Sequence, residues 1–447
     1  MINRKHPVGL LLVLICLSCS AQKKISRNDL LADFVNDPVF DLAHLGVSVY
    51  DPQQGKYLYD YQGTKFFVPA SNVKIATCYA AMKYLKHILP GIQYYENDTA
   101  VYLIPTGDPT LLHRDFPNQP VIRFLQQQRK KLYITGLVFR DSTLGSGWSW
   151  DDYNEEYMTE RSALPVYGNT IRWVQEKIQS RDTGPEQSVS VYSDPEVNWK
   201  LRFDNDTTRK QFHVQRERMA NIFHVTQGTE PHAEQSVPFA VNGLQSALEL
   251  LADTIGREIG YSDHFQAFEP LPQQVWSQPV DSVLRPMMYR SDNFFAEQLL
   301  LMVSAGNLGV MNDARIIDTL LHADFHDLPQ QPVWVDGCGM SRYNLFSPHI
   351  FISILDRMRK EFGMERVKSI FPTGDSGTLK GYYRQGGNYI YAKTGSMSGV
   401  LALSGFLYAQ NGRLLEFSIL VNNYTGSSVA MRRRIEKFIH AVRQQRF

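Results

Sequence analysis

The middle of the chain differs in its pattern of apolar and turn residues from the sequence on both sides of it. This difference limits the folds that the chain can adopt. Between residues 91 and 269, short apolar runs of strand type alternate with turn clusters such as Thr106-Gly107-Asp108-Pro109. Before and after this block, strand patterns mix with long helical patterns. We therefore expect a domain formed by residues 26–90 and 270–447, with a β-rich module of one or two lobes inserted at 91–269.

The two flanking parts carry the patterns of an α/β domain. Residues 46–50 and 56–61 alternate as two strands around a turn, which predicts a hairpin. The apolar run after Ser71 predicts a helix that continues to about Ile88, and helical patterns resume at Val280. Three strand patterns and a closing helix follow, at 389–393, 400–408, 414–421 and 429–442.

Charge and cysteine content limit the partners and the fold. Lys and Arg together number 46 and Asp and Glu 45, so the net charge is +1 and nucleic-acid binding is disfavoured. A hydrophobic fraction of 43% is typical of a globular protein, and 447 residues predict two or three domains. Beyond the N-terminal segment only Cys78 and Cys338 remain, so no disulfide framework supports the fold, and whether the two pair is left open.

The N-terminus has the pattern of a secretory signal. A basic start precedes an apolar run from residue 8 to 17, shorter than the roughly 20 residues that span a bilayer. Small residues favour cleavage after Ala21, so residues 1–21 would be the signal peptide. Cys19 offers a lipid-modified cysteine as the alternative, which would attach the protein to a membrane surface. Both interpretations predict an exported protein.

Ser71 and Lys74 have the spacing of a nucleophile and its base. Positions three apart share one face of a helix, so the hydroxyl and the amine would meet. A serine hydroxyl needs a base to take its proton, and a lysine can do so when burial or a neighbouring cation lowers its pKa. The pair proves little by itself, because Ser20 and Lys23 have the same spacing. A capping serine beside a solvated lysine is the alternative.

Two further motifs supply the rest of such a site. Ser291-Asp292-Asn293 lies between helical segments, and Lys393-Thr394-Gly395-Ser396 ends a strand. Neither is informative by itself, since Ser26-Arg27-Asn28 also matches the first. The three motifs in this order, each in its expected structural setting, are hard to obtain by chance. Together they are the motif set of penicillin-binding proteins and β-lactamases.

Beyond these motifs, the chain resembles the class C low-molecular-mass penicillin-binding proteins, the D-alanyl-D-alanine carboxypeptidase/endopeptidase family. From Ser71 to Ser291 is a step of 220 positions, and a large insertion between the first two motifs is the hallmark of that family. The resemblance covers nearly the whole mature chain. It is carried by the segments 69–77, 107–111, 134–136, 291–299, 336–344, 374–379 and 393–405.

The resemblance implies a fold and a set of partners. The fold is α/β (α+β), a penicillin-binding/β-lactamase-like serine transferase domain with an antiparallel sheet flanked by helices, carrying the β-rich insertion. The partners would be peptidoglycan stem peptides, cleaved at D-Ala-D-Ala termini or cross-links in the periplasm, and β-lactam antibiotics. No metal and no cofactor are implied.

The resemblance also assigns five catalytic residues. Ser71 would attack the D-Ala-D-Ala carbonyl with Lys74 as its base, and water would later hydrolyse the acyl-enzyme. Ser291 would relay a proton to the leaving amine, and Asn293 would bind the substrate amide and hold Lys74. Lys393 would add a positive electrostatic field. As a nearby cation it would also be the first candidate for lowering the Lys74 pKa, with desolvation by apolar neighbours on the Ser71 helix adding to the effect.

Three more residues are assigned to substrate binding. The hydroxyls of Thr394 and Ser396 would hold the terminal carboxylate of the substrate. Gly395 would leave room for a substrate lying along the strand. The backbone N–H groups of Ser71 and Ser396 would form the oxyanion hole.

Three other functions are compatible with parts of the sequence. His322 and His326 have the spacing of a zinc helix, but the glutamate base is missing between them, which favours surface histidines. A non-catalytic wall-binding protein would lack at least one catalytic side chain, and all are present. A β-lactamase-like hydrolase would share the acylation step, but no Glu-x-x-x-Asn element for its deacylating water lies between Asn293 and Lys393.

Overall fold

The structure, a computed structural model, describes residues 26–135, 138–179, 187–204, 210–262, 272–384, 388–445 and 447. The expected signal peptide and Cys19 lie outside the described residues. Within the described ranges, none of the helices combines the length and apolar character that crossing a bilayer requires.

The secondary structure mixes helices and strands throughout. The helices are α1 (Arg27–Val35), α2 (Lys74–Tyr84), α3 (Pro120–Gln127), α4 (Gln245–Ile255), α5 (Val280–Tyr289), α6 (Asn293–Leu308), α7 (Asp313–His322), α8 (Pro348–Phe362), α9 (Met364–Ile370) and α10 (Ser428–Gln444). The strands are β1 (His44–Asp51), β2 (Lys56–Tyr61), β3 (Ile88–Glu96), β4 (Ala100–Pro105), β5 (Lys131–Ile134), β6 (Thr170–Gln179), β7 (Gln187–Asp194), β8 (Lys200–Asp204), β9 (His213–Arg216), β10 (Ile222–Thr226), β11 (His232–Pro238), β12 (Ile259–Tyr261), β13 (Gln273–Pro279), β14 (Ile390–Met397), β15 (Val400–Tyr408) and β16 (Leu414–Asn422).

A five-stranded antiparallel sheet joins the two ends of the chain. Its strand order is β14-β15-β16-β1-β2, so the first strand of the chain pairs with the last one. The register runs from His44 opposite Asn422 to Tyr50 opposite Glu416. The hairpin predicted near the N-terminus is confirmed as β1 and β2. Pairing of β1 with β16 brings motifs from opposite ends of the sequence onto one scaffold.

Helices cover both faces of this sheet. On one face α1 and α10 pack together, with the rings of Phe34 and Phe438 stacked at 4.2 Å between centroids. On the other face α2 and α8 share an apolar core with Phe406 and Leu420 of the sheet. Strands buried on both faces become continuously apolar instead of alternating, which explains the strong patterns of β15 and β16. The α/β class predicted from the sequence is confirmed.

Three further sheets form between α2 and α5. One has the order β12-β5-β4-β3-β13, and the others are β11-β6-β7 and β8-β10-β9. We call residues 88–279, which begin with β3 and end with β13, the inserted segment. Its apolar side chains form a cluster of their own around Trp173, Phe223 and Leu251, joined by Leu301 of α6.

The helix and strands that frame the inserted segment end and begin at other residues than the sequence patterns indicated. The helix after Ser71 was expected to reach Ile88, but α2 ends at Tyr84, and β3 begins at Ile88 instead of near residue 91. The partner strand β13 extends to Pro279, beyond the expected 269. Pro90 and Gly91 resemble a turn in sequence. However, Pro90 lies where the pairing of β3 with β13 shifts register, and a strand tolerates proline at such an irregularity.

Two glycines near the end of α6 provide a test of this local structure. Gly306 is an exposed helical residue with open space around its missing Cβ, whereas Gly309 caps the helix at φ 65°. Gly306→Ala should raise the free energy of unfolding by about 0.5–1 kcal/mol. Gly309→Ala should lower it by about 1 kcal/mol, because an alanine resists the left-handed conformation. Denaturant titration measures both, and shifts of the same sign would contradict the assigned helix end.

Candidate active site

Ser71 lies in a tight turn that leads directly into a helix. Ala70–Val73 form a 3-10 turn and α2 begins at Lys74, so the predicted first turn of the helix has 3-10 geometry. Ala70 adopts φ 47°, an uncommon conformation for a residue with a Cβ, immediately before the serine. Lys74 Nζ lies 3.1 Å from Ser71 Oγ. The predicted pair of hydroxyl and amine therefore meets.

Lys74 is fully buried and held by two further oxygens. Its Nζ lies 2.7 Å from the side-chain oxygen of Asn293 and 2.7 Å from the backbone oxygen of Cys338. These partners come from α6 and from the turn that begins at Asp336. Three oxygen contacts thus fix the direction in which the amine faces the serine.

Ser291 and Asn293 lie at the junction of two helices. Ser291 follows α5 and adopts φ 62°, an uncommon conformation for a serine, which the tight junction imposes. Asp292 accepts the backbone N–H of Phe295 at 3.0 Å and so caps α6. Asn293 is the first residue of α6, and its side-chain nitrogen donates to the Tyr157 carbonyl at 2.9 Å. The junction therefore directs Asn293 toward Lys74 of α2 and Ser291 toward β14.

Lys393 lies on β14, the edge strand of the five-stranded sheet. It is buried, and its Nζ donates to Ser291 Oγ at 2.9 Å and to the Thr394 carbonyl at 2.6 Å. The hydroxyl of Thr394 bonds to that of Thr378 at 2.7 Å. Each lysine of the site thus contacts one serine hydroxyl.

Gly395 brings the edge strand against the turn that carries the nucleophile. A Cβ at this position would lie 2.7 Å from the Pro69 carbonyl oxygen and 3.1 Å from the Ser71 nitrogen. The sequence suggested that glycine was needed to admit the substrate. The closest neighbours are instead protein backbone atoms, so the packing of β14 on the turn requires glycine first.

The eight predicted residues converge on a single cleft. Its volume is about 850 Å³. Lys74 and Lys393 are buried beneath it, and the other six line it. The inserted segment also contributes to the wall, with Ser149, Asp152 and Tyr157 among the lining residues. The cleft is therefore built from both parts of the chain.

A model of the D-Ala-D-Ala carboxypeptidase 3 (S13) family matches residues 27–444. The chain belongs to this family. It is a serine-type D-Ala-D-Ala peptidase, and the family predicted from the motifs is confirmed.

Known relatives of this peptidase are distant in sequence and similar in length. A D-alanyl-D-alanine carboxypeptidase DacB of Haemophilus influenzae is 24% identical, covering 88% of this chain and 90% of that protein. A D-alanyl-D-alanine carboxypeptidase of an Actinomadura strain is 27% identical, covering 90% and 81%. The crystal structure of penicillin-binding protein 4 from Haemophilus influenzae matches with a TM-score of 0.71 at 19% identity, covering 92% of this chain and 98% of that one. This likeness confirms the predicted penicillin-binding fold.

Burial controls the charge of both lysines in the peptidase. Desolvation lowers the pKa of Lys74, while the charges of Asp336, Glu297 and Asp292 oppose the shift. Desolvation also lowers the pKa of Lys393, and repulsion by Lys74 lowers it further. We expected the charge of Lys393 first and desolvation by apolar neighbours second as causes of the lowered Lys74 pKa; desolvation is confirmed as a cause, but it is the largest one, so the expected order is wrong. Burial dominates for both groups.

Sequence reasoning missed several residues that support the site. Glu297 lies one helical turn after Asn293 on α6, a spacing that places both on one face and was available as a signal. Asp336 is buried and accepts the backbone N–H groups of Gly339 and Ser341 at 2.8 and 2.7 Å. The Cys338 contact uses a backbone carbonyl, for which side-chain patterns give no signal.

The structure also places the two cysteines and the two histidines named from the sequence, and it shows one further group of possible metal ligands. Cys78 and Cys338 are both free thiols, which answers the open question of their pairing. His322 and His326 are exposed on α7 and just after it, as surface histidines. The ligand atoms of Glu297, Asp336 and Cys338 lie within 4.8 Å of one another. The two carboxylates already accept backbone N–H groups, so they serve the packing of the 336–341 turn.

The close approach at Gly395 predicts a strong mutational effect. Gly395→Ala forces β14 and the Ser71 turn apart, because neither neighbouring backbone atom can rotate away, and we expect a cost of about 1–3 kcal/mol. The rate of acylation by a penicillin should fall as well. Gly426→Ala is the matched control, since its Cβ meets open space at an ordinary φ. Equal stability and equal acylation of the two variants would contradict the packing described here.

Proposed function

We propose that the protein cleaves the D-Ala-D-Ala termini and the D-Ala cross-links of peptidoglycan peptides through an acyl-enzyme on Ser71. The observation that carries this proposal is the buried Lys74 amine 3.1 Å from Ser71 Oγ, with its pKa lowered by desolvation. A neutral lysine in that position is a competent base for a serine hydroxyl. The shared fold and family of the relatives support the same substrate class.

In the proposed acylation step, Lys74 takes the proton of Ser71 as the oxygen attacks the D-Ala-D-Ala carbonyl. The resulting tetrahedral intermediate collapses when the bond to the leaving D-Ala amine breaks. That amine needs a proton, and we propose that Ser291 relays one from Lys74, which took it from Ser71, or from Lys393, which then recovers it from Lys74. The 2.9 Å contact between the Ser291 hydroxyl and Lys393 Nζ supports the relay. Water then hydrolyses the ester and restores Ser71. Asn293 holds Lys74 and offers its amide to the substrate.

The oxyanion and the terminal carboxylate of the substrate would be bound along β14. We assign the oxyanion hole to the backbone N–H groups of Ser71 and Ser396, a proposal supported by the close packing of Gly395 on the Ser71 turn. The hydroxyls of Thr394 and Ser396 are proposed to bind the terminal carboxylate, in the field of Lys393. A β-lactam would enter the same cleft and acylate Ser71.

Two features of the wider molecule belong to the same proposal. We propose that the enzyme is exported to the periplasm, free or attached through Cys19, on the basis of the N-terminal pattern. We also propose a peptidase domain of residues 26–90 and 270–447 with an inserted domain. The separate apolar cluster of the inserted segment supports that division, and the strands that frame the segment favour boundaries at 88 and 279.

The role of Ser71 is tested by its removal. Ser71→Ala should abolish covalent labelling by a penicillin and leave the fold intact, because even a helix-capping serine contributes at most about 1–2 kcal/mol. Mass spectrometry of the intact protein measures the label, and circular dichroism checks the fold. Undiminished labelling of the variant would overturn the assignment of the nucleophile. For the parent protein, rapid loss of the label would favour a β-lactamase-like hydrolase.

The two lysines should differ in their response to the same substitution. Lys74→Arg should be nearly inactive in acylation, because a guanidinium keeps its proton at any usable pH. Lys393→Arg retains a positive charge near the substrate carboxylate and should lose less. In the parent, acylation should rise with pH through the pKa of Lys74, which lies below the usual value of a lysine. Second-order acylation rates measured at several pH values decide the point. A parental rate in Lys74→Arg would exclude Lys74 as the base.

A further inference from the structure

A buried arginine of the inserted segment reaches the helix that carries the second motif. The Arg161 side chain is only 1% exposed, and its guanidinium contacts the Glu297 carboxylate on α6 at 3.3 Å. It also pairs with Asp313 and with Asp141, the latter at 3.1 Å, and donates to the Ser142 carbonyl at 2.8 Å. Arg161 does not line the active-site cleft. Any effect of this side chain on catalysis must therefore pass through its neighbours.

Glu297 connects Arg161 to the catalytic lysine. One carboxylate oxygen faces Arg161, and the other accepts the backbone N–H of Cys338 at 2.7 Å. The carbonyl of Cys338 in turn lies 2.7 Å from Lys74 Nζ. Four residues thus form a continuous chain of contacts from the inserted segment to the base. The side chains of all four residues are buried, so water does not replace a contact that is lost between them.

The charge of Arg161 strengthens the hydrogen bond between the Glu297 carboxylate and the backbone N–H of Cys338. Desolvation and the charge of Asp336 raise the pKa of Glu297 to about 7, and Arg161 opposes the shift. Loss of the guanidinium would therefore leave Glu297 protonated near neutral pH. A neutral carboxyl binds an N–H group about half as strongly as a carboxylate does. The Cys338 carbonyl, and with it the Lys74 amine, would then be held less firmly opposite Ser71.

We propose that Arg161 is a positioning residue for acylation, which acts through Glu297 and the Cys338 backbone on the placement of Lys74. The inference rests on the proposed function, in which Lys74 is the base. It makes the inserted segment part of the catalytic machinery as well as a wall of the cleft. Because Arg161 is remote from the substrate, it should affect the acylation rate constant and leave the binding constant for a penicillin unchanged.

The experiment compares two buried arginines of the inserted segment. Arg216 is also 1% exposed, and its guanidinium contacts Glu160 and the carbonyls of Glu217, Arg218 and Pro238, all within the same segment. Arg161→Met and Arg216→Met therefore remove similar buried charges, but only the first is linked to Lys74. Stopped-flow acylation of the full-length protein by a chromogenic penicillin separates the rate constant from the binding constant, and melting temperatures record stability.

Arg161→Met should lower the acylation rate constant about 10- to 100-fold with little change in binding, since small displacements of a catalytic group have effects of this size. Arg216→Met should lower the melting temperature and keep the parental rate constant. Arg161→Lys retains a charge beside Glu297 and should recover part of the rate. In a Glu297→Gln background, Arg161→Met should add no further loss, because the connection is already broken.

The possible failures are distinguishable. If penicillin does not acylate the parent protein, the proposed function is overturned. If the parent is acylated and Arg161→Met keeps its rate constant, only the positioning role is overturned. Equal losses in Arg161→Met and Arg216→Met would likewise show a general effect of stability. Should Arg161→Met fail to fold, Glu297→Gln decides, because a parental rate constant in that variant breaks the proposed connection.

Discussion

The rest of the site depends on the burial of two lysine side chains, Lys74 beside Ser71 and Lys393 beside Ser291. Moving an ammonium group out of water costs free energy unless oxygen atoms surround it. Burial favours the neutral amine, whereas surrounding oxygen atoms favour the charged form, so a site that uses a neutral lysine must balance these two effects. Lys74 receives its oxygens from Ser71, Asn293 and Cys338, and Lys393 receives its own from Ser291 and Thr394. Four separate parts of the chain must therefore meet within a few ångströms.

The five-stranded sheet makes that meeting possible. Because β1 pairs with β16, the segment that precedes the nucleophile and the segment that carries Lys393 share one sheet. The close contact of Gly395 with the backbone at Pro69 and Ser71 then fixes the distance between the edge strand and the turn. Residues 88–279 leave and return through the adjacent strands β3 and β13. Ser71 and Ser291 therefore line one cleft although these residues separate them in sequence.

The parts of the fold that the sequence predicted are those with strong local patterns. The β1–β2 hairpin and the apolar strands β15 and β16 were recognisable because burial on one or both faces dictates their residues. The three short motifs identified the residues of the cleft. The end of α2 was misplaced because Pro90 and Gly91 carry a turn signature, whereas the pairing of β3 with β13, a contact remote in sequence, overrides it.

The supporting residues of the site were harder to predict, for a physical reason. Lys74 is oriented by a backbone carbonyl, and the turn that presents this carbonyl is held by the carboxylates of Glu297 and Asp336 through backbone N–H groups. Such contacts do not depend on the side chain of Cys338, so the type of residue at that position carries little information about them. Glu297 in turn contacts Arg161, which lies in another part of the sequence. Short sequence motifs therefore identify the proposed catalytic groups. The groups that orient them are determined by how buried charges pack in three dimensions, which the motifs do not reveal.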